Sequence, residues 1–339
     1  MAAAGTPANG TAGALQQSGH GHASPRMKSA ALAAAALALL LGACASVAPP
    51  PAAQPPGRPA APPAATAPSA PATPAIAVRP PVIDRSYTSQ NQDSRALYIV
   101  LHYTVLDWEK SLKVLTTGGQ VSAHYLVRDN PVASYALVDE NRRAWHAGAS
   151  YWAGNTNLNS ASIGIEIVNP GYVDGPAGRV YAPFPPAQVE EVVALVRDIQ
   201  KRHQVRPERI IGHADIAPGR KQDPGPSFPW KALADAGLIP WPDGPLVMLK
   251  TLEHEVAPRD PAWLQDRLAR IGYNVSRSGQ MDALTQDVIT TFQMKYRPRD
   301  ISGTPDAETA ALIEVASTPT AMRVAGGGDT ETRPYTSRW

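Results

Sequence analysis

The stretch at residues 210–230, "IIGHADIAPGRKQDPGPSFPW", combines one histidine, two aspartates, an Arg-Lys pair and four prolines. Its apolar start predicts a short strand, and the prolines and glycines that follow prevent a long helix or strand. His213 therefore ends a strand, and Asp223 follows on a loop that proline keeps stiff. We expect this loop to carry half of a metal site and, in Lys221, its main catalytic cation.

The segments around this loop alternate irregularly between strand and helix patterns. "RALYIVLHYT", residues 95–104, is a nearly continuous apolar run, which predicts a strand buried on both faces with His102 near its C-terminal end. Alternation in "SASIGIEIVN" predicts a strand with Glu166 on one face, and a hairpin is predicted across Asn130-Pro131. "PAQVEEVVALVRDIQKRHQV" has the period of an amphipathic helix. We predict an α/β domain of three layers, a mixed central sheet flanked by helices.

Three candidate ligands suit a zinc ion. Two imidazoles, His102 and His213, and the carboxylate of Asp223 leave a fourth position open for water, as catalytic zinc sites do. Glu166 is then a candidate proton acceptor, and Lys221 a candidate for stabilising a developing oxyanion. Spacing alone does not bring His102 to His213, so the residues by themselves indicate only a candidate metal hydrolase.

Each of these residues also has a structural alternative. A histidine at a strand end is more often hydrogen-bonded than metal-bound. Glu166 among isoleucines is equally consistent with a buried ion pair, and Lys221 beside Arg220 with a solvated surface charge.

Composition excludes some kinds of site and partner. Cys44 is the one cysteine of the chain, so neither an internal disulfide nor a cysteine-rich zinc site can form. The net charge is +2, without a basic stripe, which makes no case for nucleic acid as a partner.

Five motifs resemble the zinc-dependent N-acetylmuramoyl-L-alanine amidases, relatives of phage T7 lysozyme and the peptidoglycan recognition proteins. They are "VLHYT", "VSAHYLV", "RAWHAG", "SIGIEIVN" and the stretch at residues 210–230, in family order within residues 83–246. The lipoprotein-like N-terminus described below makes the outer-membrane lipoprotein amidases of Gram-negative bacteria the nearest likeness.

The resemblance implies hydrolysis of the amide between N-acetylmuramic acid and L-alanine in peptidoglycan or its fragments. It implies zinc bound by His102, His213 and Asp223, with Glu166 as catalytic acid and base and Lys221 at the oxyanion. Relatives that only bind peptidoglycan lose the carboxylate ligand or the catalytic pair, so a receptor or scaffold is the alternative function that these residues disfavour.

Further residues match family positions near the substrate. His124 and His146 are predicted to lie in the groove or behind the zinc ligands. Both residues, and Trp145, are candidates for binding substrate. Trp145 and Trp152 are equally consistent with a groove wall and with core packing.

The first 44 residues resemble a bacterial lipoprotein signal. Lys28 precedes an apolar run that is too short to span a bilayer, and the run ends in Leu-Gly-Ala-Cys44. This pattern predicts cleavage before Cys44, lipid on the new terminus, and an outer-membrane location facing the periplasm. An ordinary secretory signal with an incidental cysteine is the alternative, and we expect translation to start at Met27. Residues 45–82 are rich in proline and alanine, which predicts an extended tether of about 3.1 Å per residue.

A second folded region is predicted at residues 252–316. Apolar spacing in "DPAWLQDRLARIGYNV", "GQMDALTQDVITTFQMKYRP" and "TPDAETAALIEVAS" predicts three helices. This region resembles the three-helix peptidoglycan-binding domain, although fold analogy alone does not establish sugar binding. Residues 317–339 are polar, and we expect them to be disordered.

Overall fold

The computed structural model describes residues 80–176, 178–326 and 332–335. The helices and strands described here belong to the unit Ile83–Trp339. The predicted lipid site at Cys44, its signal segment and nearly all of the linker lie outside the described residues. In the part that the structure covers, no helix combines the length and apolar character needed to cross a bilayer.

Strands and helices alternate irregularly in the first part of this unit, as the sequence predicts. The strands are β1 (Tyr98–Tyr103), β2 (Tyr125–Asp129), β3 (Val132–Ala136), β4 (Ser162–Ile167), β5 (Tyr172–Gly175), β6 (Gly178–Tyr181) and β7 (Ile210–Gly212). The helices are α1 (Trp108–Thr117), α2 (Leu158–Ala161), α3 (Pro186–His203), α4 (His213–Ile216) and α5 (Trp230–Asp235).

A mixed five-stranded sheet forms the centre, in the order β3-β2-β4-β1-β7. β4 runs parallel to β1 and β2, β7 runs parallel to β1, and β2 and β3 form the predicted antiparallel hairpin. Every residue of β1 is buried, as its nearly continuous apolar sequence requires of a strand covered on both faces. The predicted fold class is confirmed.

One face of the sheet packs against α3 and α5. Ile163, Ile165 and Ile167 of β4 point to this face and share a buried core with Val196 of α3 and Leu233 of α5. Because side chains alternate along a strand, the residues between these isoleucines face the other side of the sheet.

Beyond residue 243 the structure describes four helices. They are α6 (Gly244–Val256), α7 (Pro261–Ile271), α8 (Ala283–Tyr296) and α9 (Ala307–Ala316). Each follows an aspartate whose side chain accepts a backbone N–H of the first turn, which is the function of an N-cap. The sequence predicted α7, α8 and α9 but not α6, because the exposed side chains of Leu249, Leu252 and Val256 obscure the apolar face that packs on α9.

The prediction of a disordered tail is wrong for part of residues 317–339. Strands β8 (Trp241–Pro242), β9 (Met322–Ala325) and β10 (Thr332–Pro334) form a second, antiparallel sheet. Met322 is buried, and Arg323 pairs with Asp243. These contacts join segments about 80 residues apart, so local composition did not reveal them.

The C-terminal helices cover the second face of the central sheet. Val100 of β1 and Ile211 of β7 share one buried core with Leu268 of α7 and with Val288 and Phe292 of α8. The third layer of the predicted three-layer arrangement therefore includes helices from the region that we predicted as a separate small domain.

Because Phe292 is fully buried in this shared core, Phe292→Ala should lower the free energy of unfolding by about 3–5 kcal/mol. Denaturant unfolding followed by circular dichroism measures this loss. Leu284→Ala, at a partly exposed position of the same helix, is the control and should cost less than about 1 kcal/mol. Equal, small losses in both variants would contradict the shared core.

Candidate metal centre and catalytic site

The pairing of β1 with β7 brings the two predicted histidine ligands together. These strands are parallel neighbours with Leu101 opposite Gly212, so their C-terminal ends meet at one edge of the sheet. His102 and His213 each follow directly in the chain and lie side by side. Asp223 comes from the loop that begins after α4, and all three side chains are buried.

The ligand atoms of these residues lie close enough to share an ion. His102 Nδ1 is 2.9 Å from His213 Nδ1, and both nitrogens are 3.0 Å from Asp223 Oδ2. Donor atoms of a tetrahedral zinc ion lie about 3.3 Å apart. Within residues 80–176, 178–326 and 332–335, this is the group of histidine, cysteine and carboxylate side chains with metal-binding spacing. Two imidazole nitrogens and one carboxylate oxygen fit zinc, which answers the question that spacing left open.

The charge states of the three residues also suit a cation. Burial raises the pKa of the Asp223 carboxyl, but His213 and His102 beside it outweigh burial and hold that pKa well below its usual range. Burial, followed by the neighbouring His213, lowers the pKa of His102 to about 4. At neutral pH, Asp223 is therefore ionised and His102 is neutral, which is the form of each that binds a metal.

Hydrogen bonds orient the imidazoles from behind. His213 Nε2–H donates to the Ala147 carbonyl over 3.1 Å, which leaves Nδ1 free to bind. His102 Nε2 lies 3.0 Å from His146 Nδ1, and His146 Nε2 lies 3.1 Å from Ser162 Oγ. With each Nε2 as donor, these two hydrogen bonds leave Nδ1 of His102 as the atom that faces the metal site. Such outer partners set ligand orientation in metal sites.

Gly164 makes room for this arrangement. A Cβ on Gly164 would lie 2.4 Å from Cγ of His146, closer than any side chain tolerates. The space that Gly164 leaves on this face of β4 is occupied by the His146 imidazole, which contacts His102.

The proline-rich loop is tied to the protein at both of its ends. The Ala214 N–H donates to the Asp223 carbonyl over 2.8 Å, and the Lys221 N–H donates to the Ala217 carbonyl over 3.0 Å. Arg220 donates to the carbonyls of Ala147 and Ala149. The loop thus holds Asp223 near His213 through its own backbone, as its prolines and glycines led us to expect.

Glu166 lies beside the ligands on the neighbouring strand. It is opposite His102 in the β1–β4 register, and its Oε2 is buried without a hydrogen-bond partner among the described residues. Burial, and next the negative charge of Asp223, raise the pKa of Glu166 well above its usual value, while Lys221 acts in the opposite direction. A carboxylate without a hydrogen-bond partner and with a raised pKa is suited to accept and return a proton.

Lys221 is exposed at the mouth of a cleft of about 440 Å³. The same cleft reaches the metal-ligand candidate Asp223 and is bounded by Tyr103, Arg179 and, from α8, Thr291. Lys221 is thus a solvent-exposed cation at the cleft rather than a buried partner of Glu166.

Two predicted substrate-binding residues require correction. His124 is fully buried; its Nδ1 accepts the Gly164 N–H over 3.0 Å, and its Nε2 lies 3.1 Å from the Arg142 carbonyl. His146 is buried with both nitrogens engaged as described above. Neither offers a free polar atom to a substrate, so they support the site from behind, which was our other prediction for them.

The two candidate tryptophans, Trp145 and Trp152, differ in burial. Trp152 is buried and its ring packs against Tyr273, which places it in the core. Trp145 is 51% exposed, and its contact with substrate stays a prediction. No sequence pattern pointed to Ser162, because its hydroxyl meets His146 only once β4 is folded.

Two family models and several known proteins match this chain. A family model described as N-acetylmuramoyl-L-alanine amidase matches residues 92–226, and one described as a putative peptidoglycan binding domain matches residues 259–313. The chain is 42% identical over 241 residues to the N-acetylmuramoyl-L-alanine amidase AmiD of Escherichia coli (strain K12), an alignment that covers 68% of this chain and 86% of AmiD.

Two solved structures are similar along most of their length. E. coli AmiD in complex with anhydro-N-acetylmuramic acid-L-Ala-D-gamma-Glu-L-Lys has 41% identity and a TM-score of 0.62, covering 68% of this chain and 92% of that chain. AmpDh3 from Pseudomonas aeruginosa in complex with anhydromuramic pentapeptide has 38% identity and a TM-score of 0.64, covering 69% of this chain and 96% of that chain.

Removing one imidazole should empty the metal site. His213→Ala leaves two candidate donors, so purified protein should lose its bound zinc, which plasma mass spectrometry after dialysis measures. His203→Ala is the control, because His203 lies on α3 and contacts Ser94 and Glu140 instead. One equivalent of zinc retained by His213→Ala would show that this imidazole is not a ligand.

Proposed function

The chain belongs to the N-acetylmuramoyl-L-alanine amidase family, and from that premise we propose that it cleaves its substrate with a zinc ion held by His102, His213 and Asp223. The bond hydrolysed joins N-acetylmuramic acid to L-alanine of the stem peptide in peptidoglycan fragments. The observation that carries the zinc assignment is the meeting of two imidazole nitrogens and one carboxylate oxygen within hydrogen-bonding distance.

The chemistry that zinc supplies when bound is polarisation of the scissile carbonyl and of a water molecule. Glu166 takes the proton that this water releases on attack, at a carboxylate oxygen, and returns it to the departing nitrogen of L-alanine. Its unpaired Oε2 and raised pKa support both halves of this role. The leaving group then departs as an amine.

Lys221 stabilises the negative charge that develops on the carbonyl oxygen. Its ammonium group lies at the cleft that contains Asp223, and its charge acts on Glu166. A cation next to the developing oxyanion stabilises the tetrahedral transition state more than the ground state.

A receptor that binds peptidoglycan without cleaving it is the alternative. The metal ligands, the candidate proton acceptor and the candidate cation are all in place, which favours the enzyme. The two substrate-like complexes of the similar structures contain anhydromuramic peptides, so muropeptides of this class are suitable substrates to test.

The cellular location is part of the proposal. The run that ends in Leu-Gly-Ala-Cys44 supports lipid attachment, palmitate included, to the cysteine, and Ala45 after it supports sorting to the outer membrane. Residues 45–82 then tether the enzyme so that it reaches the cell wall from the periplasmic face.

Digestion of muropeptides tests the function. Purified protein incubated with an anhydromuramic peptide should release free stem peptide, identified by mass spectrometry. EDTA should stop the release, and added zinc should restore it. Release at the full rate by metal-stripped protein would overturn the zinc mechanism, and an absence of release with zinc present would favour the receptor.

Glu166→Gln keeps the size of the side chain but cannot accept a proton. Turnover should fall by about 10²–10⁴-fold while zinc content stays at one equivalent, because Glu166 is not a ligand. Glu191→Gln on α3, where Glu191 accepts from Ser134, should leave turnover unchanged. A normal rate in Glu166→Gln would remove this residue from the mechanism.

Lys221→Met should move the acidic limb of the kcat/KM profile to higher pH. The positive charge of Lys221 lowers the pKa of Glu166, so its removal raises that pKa, and the base becomes deprotonated only at higher pH. The control Lys231→Met changes a lysine that pairs with Asp235 on α5. A limb that stays in place or moves to lower pH would contradict the coupling.

Cys44→Ala should abolish lipid attachment. Mass spectrometry of the envelope fraction should find acyl chains on the N-terminal peptide of the wild-type protein and none on the variant. A variant that is still lipid-modified would disprove attachment at Cys44.

A further inference from the structure

A buried polar cluster links the C-terminal helices to the loop that carries the metal ligands. Asp215 lies two residues after His213 on α4 and is 2% exposed. Tyr273, two residues after the end of α7, and Lys295, on α8, contact its carboxylate. None of these three residues has a role in the reaction described above.

Asp215 fixes the start of α4. Its Oδ2 accepts the N–H of Gly212 over 2.8 Å, and Gly212 is the residue before His213. This is the capping-box contact of a helix first turn, and it sets the backbone direction with which the chain leaves β7. The position of the His213 imidazole depends on that direction.

The C-terminal helices in turn hold Asp215. The Tyr273 hydroxyl donates to Asp215 Oδ1 over 2.6 Å, and Lys295 Nζ lies 3.4 Å from Asp215 Oδ2. The same Nζ lies 4.2 Å from the ring centroid of Trp230, at the far end of the ligand loop. Lys295 therefore contacts α4, which precedes the loop, and Trp230, the first residue of α5, which follows it.

Apolar contacts make this link stiff. Ile216 and Ala217, which follow Asp215, lie in the same buried core as Val288 and Phe292 of α8. A buried carboxylate that loses its partners is strongly destabilised, so we expect removal of Tyr273 or Lys295 to shift α4 or to admit water. We expect either change to move His213 away from Asp223.

We propose that Tyr273 and Lys295 are positioning residues for the metal ligand His213, acting through Asp215. The region that matches the peptidoglycan-binding model thus helps to build the metal centre, beyond any binding of cell wall. This inference rests on the proposed zinc site and concerns zinc affinity, which is measured without substrate.

Zinc affinity of the full chain, measured by competition with a chromophoric chelator, tests the link. Tyr273→Phe removes one hydroxyl and should raise the dissociation constant for zinc about tenfold, the usual size of such supporting contacts. Tyr296→Phe is the matched control, because Tyr296 borders the same core but makes no side-chain hydrogen bond within the described residues. Lys295→Met should weaken zinc binding in the same direction.

The melting temperature of the metal-free protein separates positioning from general stability. Weaker zinc binding in Tyr273→Phe, with a metal-free melting temperature equal to that of Tyr296→Phe, supports the inference. Zinc binding as tight as wild type in Tyr273→Phe overturns it, even if Lys295→Met fails to fold. A wild-type chain that binds no zinc would instead overturn the metal assignment, and this inference with it.

Discussion

The contact of two imidazole nitrogens with one carboxylate oxygen, Asp223 Oδ2, is the constraint on which the rest of the site depends. Three polar side chains can be buried together only if their charges and hydrogen bonds are compensated, and a cation bound by them would complete that compensation. The parallel pairing of β1 and β7 brings the histidines to one edge, and the proline-rich loop returns the aspartate to them. Three further features stabilise this contact: the position of Gly164, the orientation of His146 and the cap of α4.

Two carboxyl groups near the same point have opposite environments. The neighbouring His213 and His102 hold the pKa of Asp223 low against the effect of burial, whereas Glu166 has a buried oxygen without a partner among the described residues and a raised pKa. The proposed mechanism requires this division, because it needs one carboxylate to remain charged as a ligand and another to exchange a proton. The two environments differ because Glu166 lies on β4, opposite His102 but outside the hydrogen bonds of the candidate ligands.

The sequence predicted much of this structure wherever the signal was local. The apolar run of β1, the alternation of β4 and the period of α3 predicted their elements, and the motifs predicted which histidines and aspartate the structure brings together. Prediction from the sequence failed where an element is stabilised by contacts with residues far away in the chain. The strand at Met322 forms only by pairing with β8, and His124 is buried only because it contacts β4. Phe292, which covers β1, lies on a helix almost 200 residues further along the chain. No pattern within one segment records such partners.

The C-terminal helices therefore belong to the architecture of the catalytic unit as well as to its likeness with a peptidoglycan-binding domain. The most direct test of the account is X-ray diffraction from crystals of the purified protein, recorded on both sides of the zinc absorption edge. The account predicts one anomalous peak bonded to Nδ1 of His102, Nδ1 of His213 and a carboxylate oxygen of Asp223, at about 2.0–2.2 Å. A peak at other residues, or zinc bound without Asp223, would contradict it.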